Sequence, residues 1–166
     1  MRLFCIDLGD RRTGLALGDT VTRLATPAGV IETPIRLDSG ETLLRDIERA
    51  WRDRAGTDAG IIMGLPLHAD GSESPRSKVA RDMARRLGER TGREIALHDE
   101  RRSTIAADER MARTGLTHAQ KKRRRDAIAA AAILQAYLDT HAASARDGTA
   151  EDPAATETQP INNNEQ

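Results

Sequence analysis

The order of the short apolar segments is the feature that most restricts how this chain can fold. Five runs have the length and composition of strands: residues 3–6, 13–17, 28–31, 61–63 and 95–97. The turn at residues 9–12 joins the first two closely enough for a β-hairpin. The later runs are separated by segments with helical spacing, so we expect a sheet that begins antiparallel and continues parallel.

Apolar residues at helical spacing predict the layers that cover this sheet. One helix is expected over residues 39–54, with Leu43, Leu44, Ile47 and Trp51 facing inward. A second is expected over residues 75–87, with an inner face of Val79, Met83 and Leu87. Ser103 can cap a short helix through residue 111, and a last helix ends near residues 137–138. Its predicted inner positions are Ile128, Ala131, Ala132 and Gln135, beside Ile133, Leu134 and Leu138.

Composition predicts one domain and a tail. A chain of 166 residues supports a single core, and no apolar run is long enough to span a bilayer. The N-terminal segment lacks the pattern of a signal peptide, and the single cysteine, Cys5, excludes a disulfide framework, so a cytoplasmic protein is expected. Residues 147–166 hold five acids and no Lys or Arg. We therefore predict a domain over residues 1–141 and a disordered acidic tail over residues 142–166.

Carboxylates fall where the predicted strands end. Asp7 ends the first strand, Asp99 and Glu100 follow the strand near residue 95, and Asp126 precedes an alanine-rich helical segment. Sites in open α/β sheets collect at the carboxyl ends of strands, and a helix crossing the sheet could add Asp126. Mg²⁺ and Mn²⁺ relieve the repulsion within such a cluster, and phosphodiester hydrolysis is the reaction that profits most.

Each acid also has a structural explanation. Asp7 could order the following turn, Glu100 could pair with a neighbouring arginine, and Asp126 could cap a helix or offset the basic run before it. Position alone therefore leaves a catalytic and a structural role about equally supported.

A resemblance adds to this interpretation. The chain resembles the YqgF/RuvX family, whose members are described as nucleases for the 5′ end of pre-16S ribosomal RNA and as Holliday-junction resolvase-like. The matching segments are IDLG at 6–9, RTGLAL at 12–17, GLPL at 64–67, DGSE at 70–73, DER at 99–101, ST at 103–104, DAIAA at 126–130 and ILQAYLD at 133–139. They are spread over residues 3–139, from the first strand to the last helix, and the tail lies outside them.

The resemblance implies an RNase H-like fold and a metal-dependent nuclease that acts in ribosome biogenesis, with pre-rRNA favoured over branched DNA. It places the metal ligands, and with them the catalytic groups, on Asp7, Glu100 and Asp126. Asp99 is the alternative to Glu100, because a shift of one residue at a strand end reverses the side chain's direction. The implied cofactor is Mg²⁺ or Mn²⁺, and the implied partners are nucleic acid and ribosome-assembly components, without a membrane.

Some positions depart from the family's usual pattern. Asp10 stands where Thr or Ser is common, His68 where Asn is common, and Arg102 where an apolar residue is common. Related resolvases carry a second acid one turn along the last helix, where this chain has Ala129 and Ala130. A firmly bound second metal is therefore not expected from the sequence.

Basic residues close to these motifs predict contact with phosphates. The expected nucleic-acid-binding residues are Arg11, Arg12, Arg101, Lys121, Lys122, Arg123, Arg124 and Arg125. A solvated charge run is an equally good explanation of residues 121–125. The only aromatic residues are Phe4, Trp51 and Tyr137, so recognition of backbone shape is expected, rather than stacking on unpaired bases.

Two other classes fit parts of the pattern. The Asp7-Leu8-Gly9 segment, followed by Gly14, also resembles the phosphate-binding hairpin of the actin/hexokinase-like fold. That fold needs two related domains around ATP, for which 166 residues are too few. The other class is a non-catalytic module that binds nucleic acid during assembly. Loss of activity on chelation of metal would distinguish a nuclease from this binder.

Overall fold

Strands and helices alternate along the chain in the order that the apolar pattern predicts. The computed structural model describes residues 1–102 and 118–144. The main elements are β1 (Arg2–Leu8), β2 (Thr13–Asp19), β3 (Leu24–Ile31), α1 (Glu41–Arg54), β4 (Gly60–Leu65), α2 (Pro75–Thr91), β5 (Ile95–Asp99) and α3 (His118–Ser144). Short 3₁₀ turns precede α1, at Leu37–Gly40, and follow β5, at Glu100–Arg102. The predicted helix at 103–111 lies outside the described residues.

The five strands form one mixed sheet in the order β3-β2-β1-β4-β5. The pairs β1–β2 and β2–β3 are antiparallel, whereas β1–β4 and β4–β5 are parallel. The predicted mixed sheet is therefore confirmed. β3 begins earlier than expected and includes Pro27, which an edge strand tolerates because it needs no donor on its open side.

One face of the sheet is covered by α1 and α2 and is packed with large side chains. Phe4 and Ile6 of β1 point to this face, together with buried residues of both helices. The predicted inner face of α1 is confirmed, since Leu43, Leu44, Ile47 and Trp51 are all buried. Val79 was expected inside and is 46% exposed. The buried positions of α2 are Ser77, Ala80, Met83, Ala84 and Leu87, a stripe rotated away from Val79.

Among the described elements, α3 covers the opposite face, where the small side chains of Cys5 and Ala16 lie beside Leu3 and Ile62. Alternation along β1 turns Leu3 and Cys5 to this side. Cys5 is fully buried, as expected of a small core residue, and burial raises the pKa of its thiol. The buried residues of α3 are Ala127, Ala130, Ala131, Ile133, Leu134 and Leu138.

The inner face predicted for the last helix was therefore partly wrong. Ile128, Ala132 and Gln135 are only half-buried. Gln135 joins α3 to the beginning of the edge strand β3 through hydrogen bonds. Its side-chain oxygen accepts a hydrogen bond from Ala25 N at 3.1 Å, and its amide donates to Arg23 O at 3.1 Å. A hydrophobic pattern cannot separate this role from packing, because both place the residue against the sheet.

Among the described helices, none is both long enough and apolar enough to cross a membrane. The predicted tail over residues 142–166 lies outside the described residues from residue 145 onward.

Candidate active site

Asp7 lies near the end of β1 and points to the α3 face. The alternation that turns Leu3 and Cys5 to this face gives Asp7 the same direction. The carboxylate is largely enclosed, and its pKa is raised to about 6, first by burial and then by repulsion from Asp126. Arg76 opposes this shift. Asp7 is therefore a carboxylate whose charge is incompletely compensated by its surroundings.

Glu100 approaches the same site from the 3₁₀ turn after β5. It reaches over β4 at Gly64, where a Cβ would lie 2.3 Å from Glu100 Oε1. A side chain at position 64 would thus displace the carboxylate. Burial and repulsion from Asp7 raise the pKa of Glu100 to about 7, and Arg76 again opposes the shift. The repulsion from Asp7 places Glu100 within electrostatic reach of that carboxylate.

Asp126 joins this edge through a close approach between α3 and β2. Gly14 of β2 is paired with Asp7 of β1. A Cβ at Gly14 would lie 2.0 Å from the main-chain oxygen of Asp126, so only glycine allows this crossing. The glycine in the RTGLAL segment thus brings the helix, and with it Asp126, over the end of β1.

The position of Asp126 within its helix differs from the expectation. α3 begins at His118, so an interior turn, and not the N-terminal end of the helix, crosses the sheet edge. The basic residues 121–125 continue the helix without a break. Helix capping by Asp126, one of the structural explanations of this acid, is therefore excluded.

Arg12 compensates the charge of Asp126 directly. Its Nε donates a hydrogen bond to Asp126 Oδ2 at 2.7 Å, and the two side chains are 26% and 25% exposed. Arg12 was expected to contact nucleic acid. The structure places it in an ion pair at the site, in which its Nε is occupied by the carboxylate of Asp126.

Asp99 has a different environment from Glu100. Its carboxylate accepts hydrogen bonds from Arg101 Nε at 2.9 Å and from Arg101 Nη2 at 2.5 Å. Arg101 also donates to Ala69 O at 3.2 Å, which ties this pair to the loop after β4. Asp99 and Arg101 thus stabilise that loop, and Glu100 is the acid of the two that faces Asp7.

Arg76 is a residue that sequence reasoning missed. It lies in the first turn of α2, and its charge acts on both Asp7 and Glu100. Its guanidinium is 3.9 Å from Asp10. The available signal was its place just after the loop that leaves the carboxyl end of β4, but its motif, ESPRSK, contains no recognised site residue.

The remaining predicted basic residues divide into two groups. Arg11 and Arg125 are exposed, close in sequence to Arg12 and Asp126. The side chains of Lys121, Lys122, Arg123 and Arg124 lie outside the described residues, so their predicted contacts with nucleic acid stay a prediction.

The chemistry of the site suits a hard divalent cation. Repulsion from Asp7 helps to raise the pKa of Glu100, and repulsion from Asp126 helps to raise that of Asp7; a cation relieves such repulsion between oxygen donors. Within the described ranges, no three His, Cys, Asp or Glu side chains are arranged to hold a metal ion. Asp126 is bound to Arg12, which identifies the rearrangement that a three-carboxylate site would require.

Comparison with known proteins agrees with the fold and the motifs. The family model described as "RuvX: Holliday junction resolvase" matches residues 1–140. A relative from Anaeromyxobacter sp. (strain Fw109-5), named "Putative pre-16S rRNA nuclease", is 41% identical over 140 residues, which are 84% of this chain and 97% of the relative. A protein of the same name from Agrobacterium fabrum is 35% identical over 141 residues, 85% of each chain.

A solved structure shows the same architecture. RuvC of T. thermophilus, in complex with a Holliday junction substrate, aligns with a TM-score of 0.54 at 16% identity, over 87% of this chain and 97% of RuvC. This likeness confirms the RNase H-like fold that the motifs imply. The match to the family model covers the whole of the described sheet and α3 up to residue 140, and this chain therefore belongs to the RuvX family.

Proposed function

We propose that this protein is a metal-dependent nuclease that hydrolyses phosphodiester bonds, and that its substrate is the 5′ end of pre-16S rRNA during ribosome biogenesis. The observation that carries the proposal is the charge repulsion that links Asp7 to Asp126 and Glu100 to Asp7, with the pKa of Asp7 and of Glu100 raised. The names of the relatives support RNA as the substrate. A cytoplasmic location and ribosome-assembly partners follow from that role.

The three carboxylates would hold Mg²⁺ or Mn²⁺. When bound, such an ion supplies activation of the attacking water and charge stabilisation of the phosphorane-like transition state. The chain's own residues supply the position: Gly14 and Gly64 allow Asp126 and Glu100 to approach Asp7. Asp99, which is held by Arg101, would support the adjoining loop and would not bind the ion.

Arg12 and Arg76 would orient the substrate. Arg12 holds Asp126 at 2.7 Å, and a phosphate entering the site would compete for its guanidinium. Release of Asp126 in that exchange would free its carboxylate to join Asp7 and Glu100 among the residues that would hold the ion. Arg76, whose charge already reaches Asp7 and Glu100, would hold a non-bridging oxygen. Arg11 and residues 121–125 would extend the phosphate contacts outward.

Branched DNA is the second candidate substrate. The description of the family model names Holliday junction resolution, and the solved RuvC structure contains a junction. A module that binds nucleic acid without cutting it is the non-enzymatic alternative. Both alternatives use the same basic surface, so the test must separate binding from cleavage.

The test compares cleavage of a labelled pre-16S rRNA fragment and of a four-way DNA junction with Mg²⁺, with Mn²⁺ and with EDTA. The variants are Asp7→Asn and Asp126→Asn, with Asp53→Asn as the matched control. Asp53 is exposed on α1, on the opposite side of the sheet. We expect a loss of at least about 100-fold in cleavage for the two site variants, with binding retained, and no change for the control.

The outcomes discriminate among the three functions. Cleavage of RNA but not of the junction supports the proposal, and the reverse result favours the resolvase. If wild type binds both substrates and cuts neither with either metal, the nuclease proposal is wrong and the binding module remains. Cleavage that persists in EDTA would contradict the metal dependence.

A further inference from the structure

A cleft of about 530 Å³ opens beside the candidate active site, between the start of α2 and the 3₁₀ turn before α1. Leu8 and Gly9, which directly follow Asp7, line one end of it. Arg76 lines it as well and acts electrostatically on Asp7 and Glu100. Arg76 thus belongs both to the cleft and to the electrostatic surroundings of the site, and the volume of the cleft falls within the range of about 300–1,000 Å³ typical of small-molecule sites.

The walls of the cleft are largely apolar. Pro66 and Pro75 lie on one side, and Ile35, Val79 and Met83 complete the lining. Val79 is 46% exposed, although the buried stripe of α2 supplies its packing without this residue. Contact with a ligand would explain why Val79 presents an apolar surface although it does not pack in the core.

The charges at the rim favour an anion. Four cations line the cleft, Arg36, Arg76, Lys78 and Arg86, and they outnumber the two acids, Asp10 and Asp82. Arg86 is neutralised by Asp82 at 3.4 Å and by Glu41, and Arg76 lies 3.9 Å from Asp10. Within the described ranges, Arg36 and Lys78 form no ion pair, so their charges are available at the mouth.

The backbone on the α1 side is fixed in an unusual conformation. Asp38 and Ser39 have φ values of 41° and 58°, in the left-handed region, although neither is glycine. Asp38 accepts two hydrogen bonds from Thr42, at 2.9 and 2.6 Å, and Arg86 donates to Ser39 O at 2.8 Å. These contacts hold the wall in place, and such retained strain is common beside binding sites.

We propose that this cleft receives an unpaired nucleobase of the substrate strand, next to the phosphate that is cut. The base would lie between the apolar walls, with Arg76 on the adjoining phosphate and Arg36 and Lys78 on the phosphate beyond it. This inference rests on the proposed nuclease function and narrows its substrate to strands with an extruded or single-stranded nucleotide at the cut. It departs from the expectation, based on the few aromatic residues, that only backbone shape is recognised.

The test measures binding without cleavage, in EDTA, by fluorescence anisotropy. The probes are labelled single-stranded RNAs from the pre-16S 5′ region, each with one abasic nucleotide at a different position, and the intact RNA. The variant is Val79→Asp, with Val79→Ile as the conservative replacement. Val21→Asp is the matched control, because Val21 is 81% exposed in the β2–β3 turn, at the other end of the sheet.

We expect wild type to lose about 5- to 100-fold in affinity when the abasic nucleotide falls at one position, because burial of the base against the apolar walls is lost there. Val79→Asp should bind the intact RNA as weakly as wild type binds that abasic RNA, and should be insensitive to the abasic nucleotide. Val79→Ile and Val21→Asp should behave like wild type.

Equal affinity of Val79→Asp and wild type for intact RNA would overturn the inference, as would an abasic effect of the same size in both proteins. Cleavage with Mg²⁺, measured separately, distinguishes this failure from that of the proposed function. If the protein cuts RNA but Val79→Asp does not change its affinity for RNA, the nuclease function stands and the base site is wrong. If the abasic nucleotide weakens binding but the protein does not cut, the base site stands on a protein that binds without catalysis. If the protein does not bind RNA, both the base site and the proposed function are wrong.

Discussion

The two faces of the sheet differ in how their helices pack against the strands. The face under α1 and α2 is filled by large side chains, among them Phe4, Ile6 and Leu44, all fully buried. The face under α3 carries the small residues Cys5 and Ala16 beside Leu3 and Ile62, and at Gly14 and Gly64 it carries no side chain at all. The large side chains bury more apolar surface, whereas the small ones let the helix backbone come close to the strands.

This difference separates stability from positioning. None of the three acids comes from α1 or α2, so we expect small changes in the packing of those helices to leave the carboxylate arrangement intact. On the α3 face, a similarly small change moves Asp126 relative to Asp7. The α1–α2 face thus contributes mainly to stability, whereas the α3 face sets the arrangement of the carboxylates.

The largest effect on stability is expected from Leu44→Ala, on the α1–α2 face. Removal of a fully buried leucine leaves a cavity and should lower the free energy of unfolding by about 2–5 kcal/mol. Urea denaturation measures this change. Cleavage by the folded fraction should stay within about twofold of wild type, and a large loss of cleavage in a folded Leu44→Ala protein would contradict the separation between the faces.

Gly14→Ala should have a smaller effect on stability and a larger one on activity. The new Cβ would meet the main chain of Asp126 at 2.0 Å, so α3 must shift, at a cost of about 1–3 kcal/mol. A shift of about 1 Å in one carboxylate should reduce cleavage by about 100-fold.

The matched control for that variant is Gly88→Ala on α2. Its Cβ would also approach a main-chain oxygen, that of Arg93, at 3.0 Å, but away from the three acids. Gly88→Ala should therefore leave cleavage unchanged in the folded protein. Equal cleavage by Gly14→Ala and wild type would show that α3 does not need this close approach.

The smallest change in stability, and the only increase, is expected from Asp7→Asn. Because burial and Asp126 raise the pKa of Asp7 to about 6, the folded protein loses stability as pH rises from about 4 through 6. The neutral amide removes this loss. Its free energy of unfolding in EDTA should exceed that of wild type by about 1–2 kcal/mol at pH 8 and match it near pH 4.

Thermal or urea unfolding at the two pH values measures this difference, with Asp53→Asn as the control. Addition of Mg²⁺ at pH 8 should then stabilise wild type more than Asp7→Asn, because the variant lacks one of the proposed ligands. An Asp7→Asn protein that is less stable than wild type at both pH values would show that Asp7 is a structural residue.

Sequence patterns predicted most of the fold because they report burial directly. All five strands and all three long helices of the described residues were predicted, and the motifs led to the correct family. The errors lie in the details of which residues face inward, as at Val79 and Gln135. Both positions have helical spacing and partial burial, and a pattern of apolar residues cannot show whether a side chain meets the core, a cleft or a strand edge.

For the candidate site, the sequence indicated the acids but not their surroundings. Asp7, Glu100 and Asp126 could be chosen because they end strands or fall in family motifs. The pairing of Arg12 with Asp126, the role of Arg101 in holding Asp99, and the influence of Arg76 could not be predicted. Each of these depends on residues far apart in the chain, whose separation is set by how the helices pack.

The sequence by itself determined the mixed sheet, the family and the small residues at positions 14 and 64, since alternation, turn chemistry and motifs are local properties of the chain. Only the tertiary structure decided which charges meet at the sheet edge and that a cleft opens beside them. Electrostatic interactions depend on distances and burial in space, and those are fixed only when α2 and α3 pack against opposite faces of the sheet.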